Sequence, residues 1–279
     1  MKKFIAAFDG LKFSESTKEY AVHLARMAHA HLVGVFLEDI TYTSYKIYDL
    51  VTSEGVSEAR LKEYESSDKE KRAAAVASFE MACRNAGVEH SIHHDKKIAL
   101  QELLHESVYA DLLIIDTKET LTHYEEAVPS RFIKDLLSDV MCPVLLLPKQ
   151  YNPINKIEYL YDGEPASVYA IRMFSYLFPV MEQLPAEIVS VKDADTGLHV
   201  TDSVLMKEFM KRHHPGALFT VLKGHPELEI VNHLKALRVE ALAVLGAYKR
   251  GTVSRWFRPS LANILMQDLD IPLFIAHHK

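Results

Sequence analysis

The sequence predicts an α/β protein of two tandem doubly wound units, each a five-stranded parallel sheet of order 3-2-1-4-5 with helices on both faces. Three observations carry this. Short apolar runs alternate with helical stretches, a set of landmarks recurs in the same order in each half, and the chain has 279 residues. That length is about twice a domain of roughly 100–200 residues.

The first half opens with the apolar run Phe4–Phe8, stopped by Asp9-Gly10. A continuous apolar run bounded by a turn signal reads as a strand covered on both faces. Ser14 or Ser16 can cap the helix that follows, in which Tyr20, Leu24 and Met27 recur at helical spacing. Leu32–Leu37 is the second strand. A polar, tyrosine-containing passage over Glu38–Ser57 leads to a long helix from Glu58 to Asn85, with Gly87 as its C-cap. Glu89–His93 is strand three, Ala99–Val108 a helix, and Leu112–Ile115 strand four, ended by Asp116. Pro129-Ser130 opens the next helix, and Pro143–Leu147 is strand five.

The second half repeats this plan. Ile157–Tyr161, Glu187–Val191, Ala217–Leu222, Ala241–Leu245 and Pro272–Ile275 read as strands. Ala170–Phe178, Val204–Arg212, Glu227–Leu237 and the stretch after Pro259-Ser260 read as helices. An Asp-Gly follows strand one in each half, a Pro-Ser precedes each last helix, and a proline opens each last strand. The Pro-Ser pairs lie 130 residues apart and the prolines Pro143 and Pro272 lie 129 apart. The Asp-Gly pairs lie 153 apart, so the first half carries an excess of 23 residues in its middle, consistent with its longer second helix. Three landmarks in order favour duplication. The segment KQYNP reads as a linker and places the domains at 1–150 and 151–279.

Composition limits the functions available. Hydrophobic residues make up 48% and charged residues 25%, an ordinary globular balance with material for two cores. A formal net charge of −6 argues against a general affinity for nucleic-acid phosphates. Cys83 and Cys142, far apart, fit neither a zinc framework nor a disulfide scaffold, which points to a reducing cytoplasm. The apolar run before Asp9 is too short for a secretory leader, and no run is long enough to span a membrane.

With order 3-2-1-4-5, ligands are expected beyond the carboxyl ends of strands one and four, where the winding reverses. The loops of interest are Asp9-Gly10 with 116–130, and Asp162-Gly163 with 246–260. The strand-one aspartate, the long strand-four loop and the proline-led last strand resemble the universal stress protein family, twice over nearly the whole chain. The resemblance implies a Rossmann-like fold related to the adenine-nucleotide α hydrolases, and a G-x2-G-x9-G-[ST] loop after strand four that cradles ATP phosphates. In the second half, GAYKRGTVSRWFRPS places Gly246 at the first glycine, Lys249 at the second, Pro259 at the third and Ser260 at the hydroxyl position. In the first half, DTKETLTHYEEAVPS replaces the glycines with Asp116, Glu119 and Pro129 and retains only Ser130.

The resemblance therefore implies a nucleotide loop largely lost in the first half and partly kept in the second. Carboxylates beside a triphosphate repel it by about 1 kcal/mol or more even in water. The second loop instead carries Lys249, Arg250, Arg255 and Arg258, which either hold an anion or form a solvated face. The implied cofactor is ATP, and the implied binding residues are Asp162, Gly163, Val191, Gly246, Lys249, Ser260 and Leu261. Asp162 also reads as a plain Asp-Gly turn, and Ser260 as a helix cap.

Other constellations carry less. His90, His93 and His94 form no tight trio on a strand and read as surface residues, while the pairs His213-His214 and His277-His278 would diverge on strands. Tyr42, Tyr45 and Tyr48 would share a helical stripe, either local packing or a lid. No catalytic or metal motif stands out. Two functions follow as expectations: a non-enzymatic stress-response protein acting by binding and assembly, with ATP binding lost or weakened, or a nucleotide-responsive regulator using only the second half, with at most slow ATP hydrolysis. The family's pairing through the last strand implies an internal pseudo-dimer, with a further homodimer in reach; the net charge and the short apolar runs leave neither nucleic acid nor membrane as an expected partner.

Overall fold

The computed structural model describes residues 1–37, 51–52, 55–56, 58–95, 98–122, 126–192, 199–237, 240–247 and 259–277. The first half contains β1 (Lys3–Asp9), α1 (Glu15–Ala28), β2 (His31–Leu37), the short pair β3 (Val51–Thr52) and β4 (Gly55–Val56), α2 (Glu58–Ala86), β5 (His90–Asp95), α3 (Ala99–Ser107), β6 (Leu112–Asp116), α4 (Arg131–Asp139) and β7 (Val144–Leu147). The second contains β8 (Lys156–Leu160), α5 (Pro165–Leu177), a 3-10 turn (Pro179–Gln183), β9 (Ala186–Lys192), α6 (Ser203–His213), β10 (Leu218–Lys223), α7 (Pro226–Ala236), β11 (Ala241–Ala247), α8 (Pro259–Asp268) and β12 (Leu273–His277).

Ten of these strands form one sheet, ordered β10-β9-β8-β11-β12-β7-β6-β1-β2-β5. Read from its outer edge, each half has the order 3-2-1-4-5, with parallel neighbours throughout. The halves meet where β12 pairs antiparallel with β7, Leu273 opposite Leu146, Phe274 opposite Leu145 and Ile275 opposite Val144. The expected last-strand junction is thus present.

Side chains alternate across the sheet and build two apolar layers, each continuous through both halves. Phe4, Phe8, Phe36, Phe79, Tyr159, Phe174 and Phe274 belong to one layer; Ile5, Val33, Leu113, Ile115, Val189 and Ile275 to the other. Contacts beyond the seam also join the halves. The rings of Phe4 and Phe178 lie 5.6 Å apart, Lys2 Nζ donates to Leu177 O at 2.6 Å, and Gln267 Nε2 donates to Val128 O at 2.6 Å. The connecting segment is tied to α1, where Ser16 Oγ donates to Pro148 O and Tyr20 OH donates to Asn152 O, at 2.7 and 2.8 Å.

Local signals account for most element ends. Ser14 caps α1, its side chain accepting from Thr17 N. Gly87, at φ +66°, ends α2 as expected, with Val88 N donating back to Cys83 O at 2.9 Å. Three expectations need correction. Helix α5 begins at Pro165, not Ala170, because a proline at the first helical position needs no N–H partner there. His213 and His214 lie at the end of α6, not on a strand. His214 is buried, bonded to Tyr159 OH at 3.1 Å and Leu184 O at 2.8 Å. His93 is not a plain surface residue, since its Nδ1 pairs with Glu106 at 2.5 Å. Tyr42, Tyr45 and Tyr48 lie outside the described residues.

Candidate functional site

The two reversal points lie between β1 and β6 and between β8 and β11. In the first, β1 ends on Asp9, a 1%-exposed residue whose Oδ1 accepts from Leu11 N and Lys12 N at 2.8 and 3.2 Å, while Oδ2 has no hydrogen-bond partner among the described residues. This is an Asx turn, formed because an aspartate side chain can imitate the backbone of a turn. At the end of β6, Asp116 accepts from Ser14 Oγ at 3.0 Å and from Lys118 N at 2.8 Å. The first bond ties strand four to the cap of α1 across the crevice.

Glu119 is buried behind these two aspartates. Its Oε1 accepts from Thr120 N and Leu121 N, both at 2.9 Å. Burial, and then the Asp9 carboxylate, push its carboxyl up to about 7; Asp116 adds to the rise, and the two backbone donors oppose it. Ser130 Oγ donates to Glu119 O and accepts from Ile133 N, so it anchors the loop and caps α4 at once. Over Gly10, a Cβ would sit 3.0 Å from Arg72 Cγ, so this glycine admits the α2 side chain. The first crevice thus presents three carboxylates, two of them buried.

The second crevice differs. β8 runs into Asp162, whose Oδ1 accepts from Glu164 N at 3.0 Å, and Gly163, at φ +89°, makes the turn that a side chain would strain. Gly246 takes the sheet position held by Asp116 in the first half, since Gly246 pairs with Ala276 and Asp116 with Leu147, the fourth residue of each last strand. A Cβ on Gly246 would lie 2.4 Å from the carbonyl carbon of Ala166 and 2.6 Å from Ser167 N. The first turn of α5 therefore rests directly on the end of β11, and close backbone approach demands the glycine there.

Asp162, Gly163, Val191 and Gly246 come together at the carboxyl ends of β8, β9 and β11, and Leu261 lies in the first turn of α8. Val191 and Leu261 are buried within the apolar layer. Lys249 and the cationic run to Arg258 fall outside the described residues, as does the side chain of Ser260. Sequence reasoning missed the pairing of Asp9 with Glu119, which lie 110 positions apart and meet only through β1–β6 pairing. It also missed a cluster of Glu158, Glu187 and His233. The available signal was a glutamate inside each of the apolar runs KIEYL and AEIVSVK.

No family model matches the chain. A curated relative, Universal stress protein Slr1230 of Synechocystis sp., is 22% identical over 292 residues, covering 98% of this chain and 99% of its own length. Among solved structures, a universal stress protein from Archaeoglobus fulgidus superposes with a TM-score of 0.70 at 13% identity, covering 99% of this chain and 98% of its own. A functionally unknown protein, PA1789 from Pseudomonas aeruginosa PAO1, superposes with a TM-score of 0.61 at 11% identity, covering 99% and 92%. The resemblance to tandem universal stress proteins therefore extends over the whole chain, in the full-length sequence match and in the paired Rossmann-like fold.

Proposed function

We propose that this protein is a cytoplasmic stress-response protein that acts by binding and assembly rather than catalysis, with ATP binding lost from its first half and weakened in its second. The chain is read as two units, 1–150 and 151–279, joined as an internal pseudo-dimer. One observation carries the reading: the first crevice is built from Asp9, Asp116 and Glu119, with Asp116 bonded across it to Ser14. A polyphosphate placed there meets carboxylates where it needs backbone donors and cations.

The second crevice supports weakening. Gly246 is taken up by packing against α5, and Val191 and Leu261 are committed to the core. Among the described residues, no helix is long and apolar enough to cross a membrane. The alternative, an adenine-nucleotide regulator using the second half, is favoured by the cations Lys249, Arg250, Arg255 and Arg258 in its loop. In that reading ATP lies against Asp162, Gly163, Gly246, Lys249 and Ser260.

Titration calorimetry of the full chain with ATP and Mg2+ tests the choice. The proposal expects no more than millimolar affinity. Micromolar binding that is lost in Lys249→Glu with Ser260→Ala overturns it in favour of the regulator. Micromolar binding that weakens instead in Asp116→Gly overturns the assignment of the crevices.

A further inference from the structure

The apolar layer of the second half is interrupted by a polar cluster away from either crevice. Glu158, in the middle of β8, is fully buried, and Glu187 stands beside it on β9. His233 on α7 places Nε2 3.1 Å from Glu158 Oε2 and 4.0 Å from Glu187 Oε2. Lys156 Nζ sits between the carboxylates, 2.7 Å from Glu158 Oε1 and 2.6 Å from Glu187 Oε2. Thr220 Oγ1 donates to the other oxygen of Glu187. One ligating atom from each of Glu158, Glu187 and His233 falls within 4.8 Å of the others.

The fold does not require these groups. In the first half the same sheet positions are Ile5, paired with Val33, both buried and apolar. Apolar residues of similar volume commonly match or exceed a buried ion pair in stability. With an imidazolium at His233 the two glutamates, Lys156 and the ring sum to zero. A divalent cation in place of the ammonium, on a neutral imidazole, also sums to zero, so a metal can replace Lys156 without leaving an uncompensated buried charge. Lys156 is 29% exposed along its side chain and can turn to solvent.

We propose that Glu158, Glu187 and His233 form a site for a divalent transition-metal cation of the Zn2+ class, with Lys156 as a built-in ammonium that occupies the site until the metal displaces it. Two carboxylates and an imidazole suit Zn2+, Co2+ or Mn2+ better than Ca2+ or Mg2+, which prefer all-oxygen shells. Three protein ligands leave a fourth position for water. Thr220 acts as a positioning residue, holding the Glu187 carboxylate toward the other two.

The experiment uses the metal-stripped full chain, with Co2+ as a spectroscopic probe and Zn2+ as competitor. The proposal expects one equivalent of Co2+ with the visible absorption of a low-coordinate site, displaced by Zn2+. Glu187→Gln and His233→Ala should each weaken that site by roughly tenfold or more. Lys156→Met should tighten it by about tenfold, since the competing charge is gone. A gain of affinity cannot come from misfolding, so this variant keeps the test decisive if the others melt early. Absorption that is absent, or unchanged across all three variants, overturns the proposal and leaves the cluster as an ion-pair network.

Discussion

Replacing Glu119 with glutamine should stabilise the protein at neutral and alkaline pH and leave it unchanged in acid. Glu119 is held well above the ordinary carboxyl range, at about 7 against 4.5, by burial and by the charge of Asp9. A raised carboxyl binds its proton more tightly in the folded state than in the unfolded one. Below 4.5 both states are protonated and nothing is lost. Between 4.5 and 7 stability falls with rising pH, and above 7 the fold carries the full cost. A shift of that size corresponds to about 3 kcal/mol. Glutamine keeps an oxygen for Thr120 N and Leu121 N and turns an amide toward the aspartates, without a charge to desolvate. At roughly 2.1 cal/mol/K per residue, 279 residues unfold with about 0.6 kcal/mol/K of entropy, so the gap in Tm at pH 8 should be about 5 °C. Thermal melts of both proteins from pH 4 to 8.5 measure it. A gap that does not change with pH, or a wild type more stable at pH 8, would refute the assignment of the charge cost to this carboxyl.

Three further outcomes follow. Gly246→Ala should lower stability by on the order of 2–4 kcal/mol, seen in urea melts with or without nucleotide, because its Cβ meets the backbone of α5. Phe274→Ala, which empties a fully buried site against Phe174 on the strand that joins the halves, should cost about 3–5 kcal/mol; a loss under 1 kcal/mol would mean that the seam carries little of the fold. Burial pushes the thiols of Cys83 and Cys142 up to about 12, so neither should react with iodoacetamide at pH 8 until the chain unfolds, as mass spectrometry would show.

The strand order was legible because parallel strands covered on both faces must be apolar along their length, and FIAAF, LLII and VLLL have no other use in a chain of this composition. The seam was expected from the family resemblance, which implies pairing through the last strand; Pro143 and Pro272 only marked where that strand begins in each half. The sites were legible only in part. Asp162 and Gly163 make the turn their types suggest, but the loop motif implied by the family resemblance gave Gly246 a ligand-facing role and could not show α5 lying against it. Glu158 was hidden by its neighbours: one charged residue in KIEYL leaves the run reading as a buried strand. Its partners lie 29 and 75 positions away, beyond any local pattern. His214 was obscured for a similar reason, because a histidine pair carries no periodicity and its bonds to Tyr159 and Leu184 depend on tertiary packing.

The antiparallel meeting of β7 and β12 reaches beyond stability. Because the strands of one half run against those of the other, the carboxyl ends of the two sets of strands, and with them the two crevices, face opposite rims of the sheet. The seam also consumes within a single chain the border through which two separate copies could have zipped together. Among the described residues, the sheet borders left for a higher assembly are β5 and β10. Of the two, β10 has exposed residues at both ends, ending in Lys223, a charge of the kind that discourages uncontrolled strand-to-strand growth.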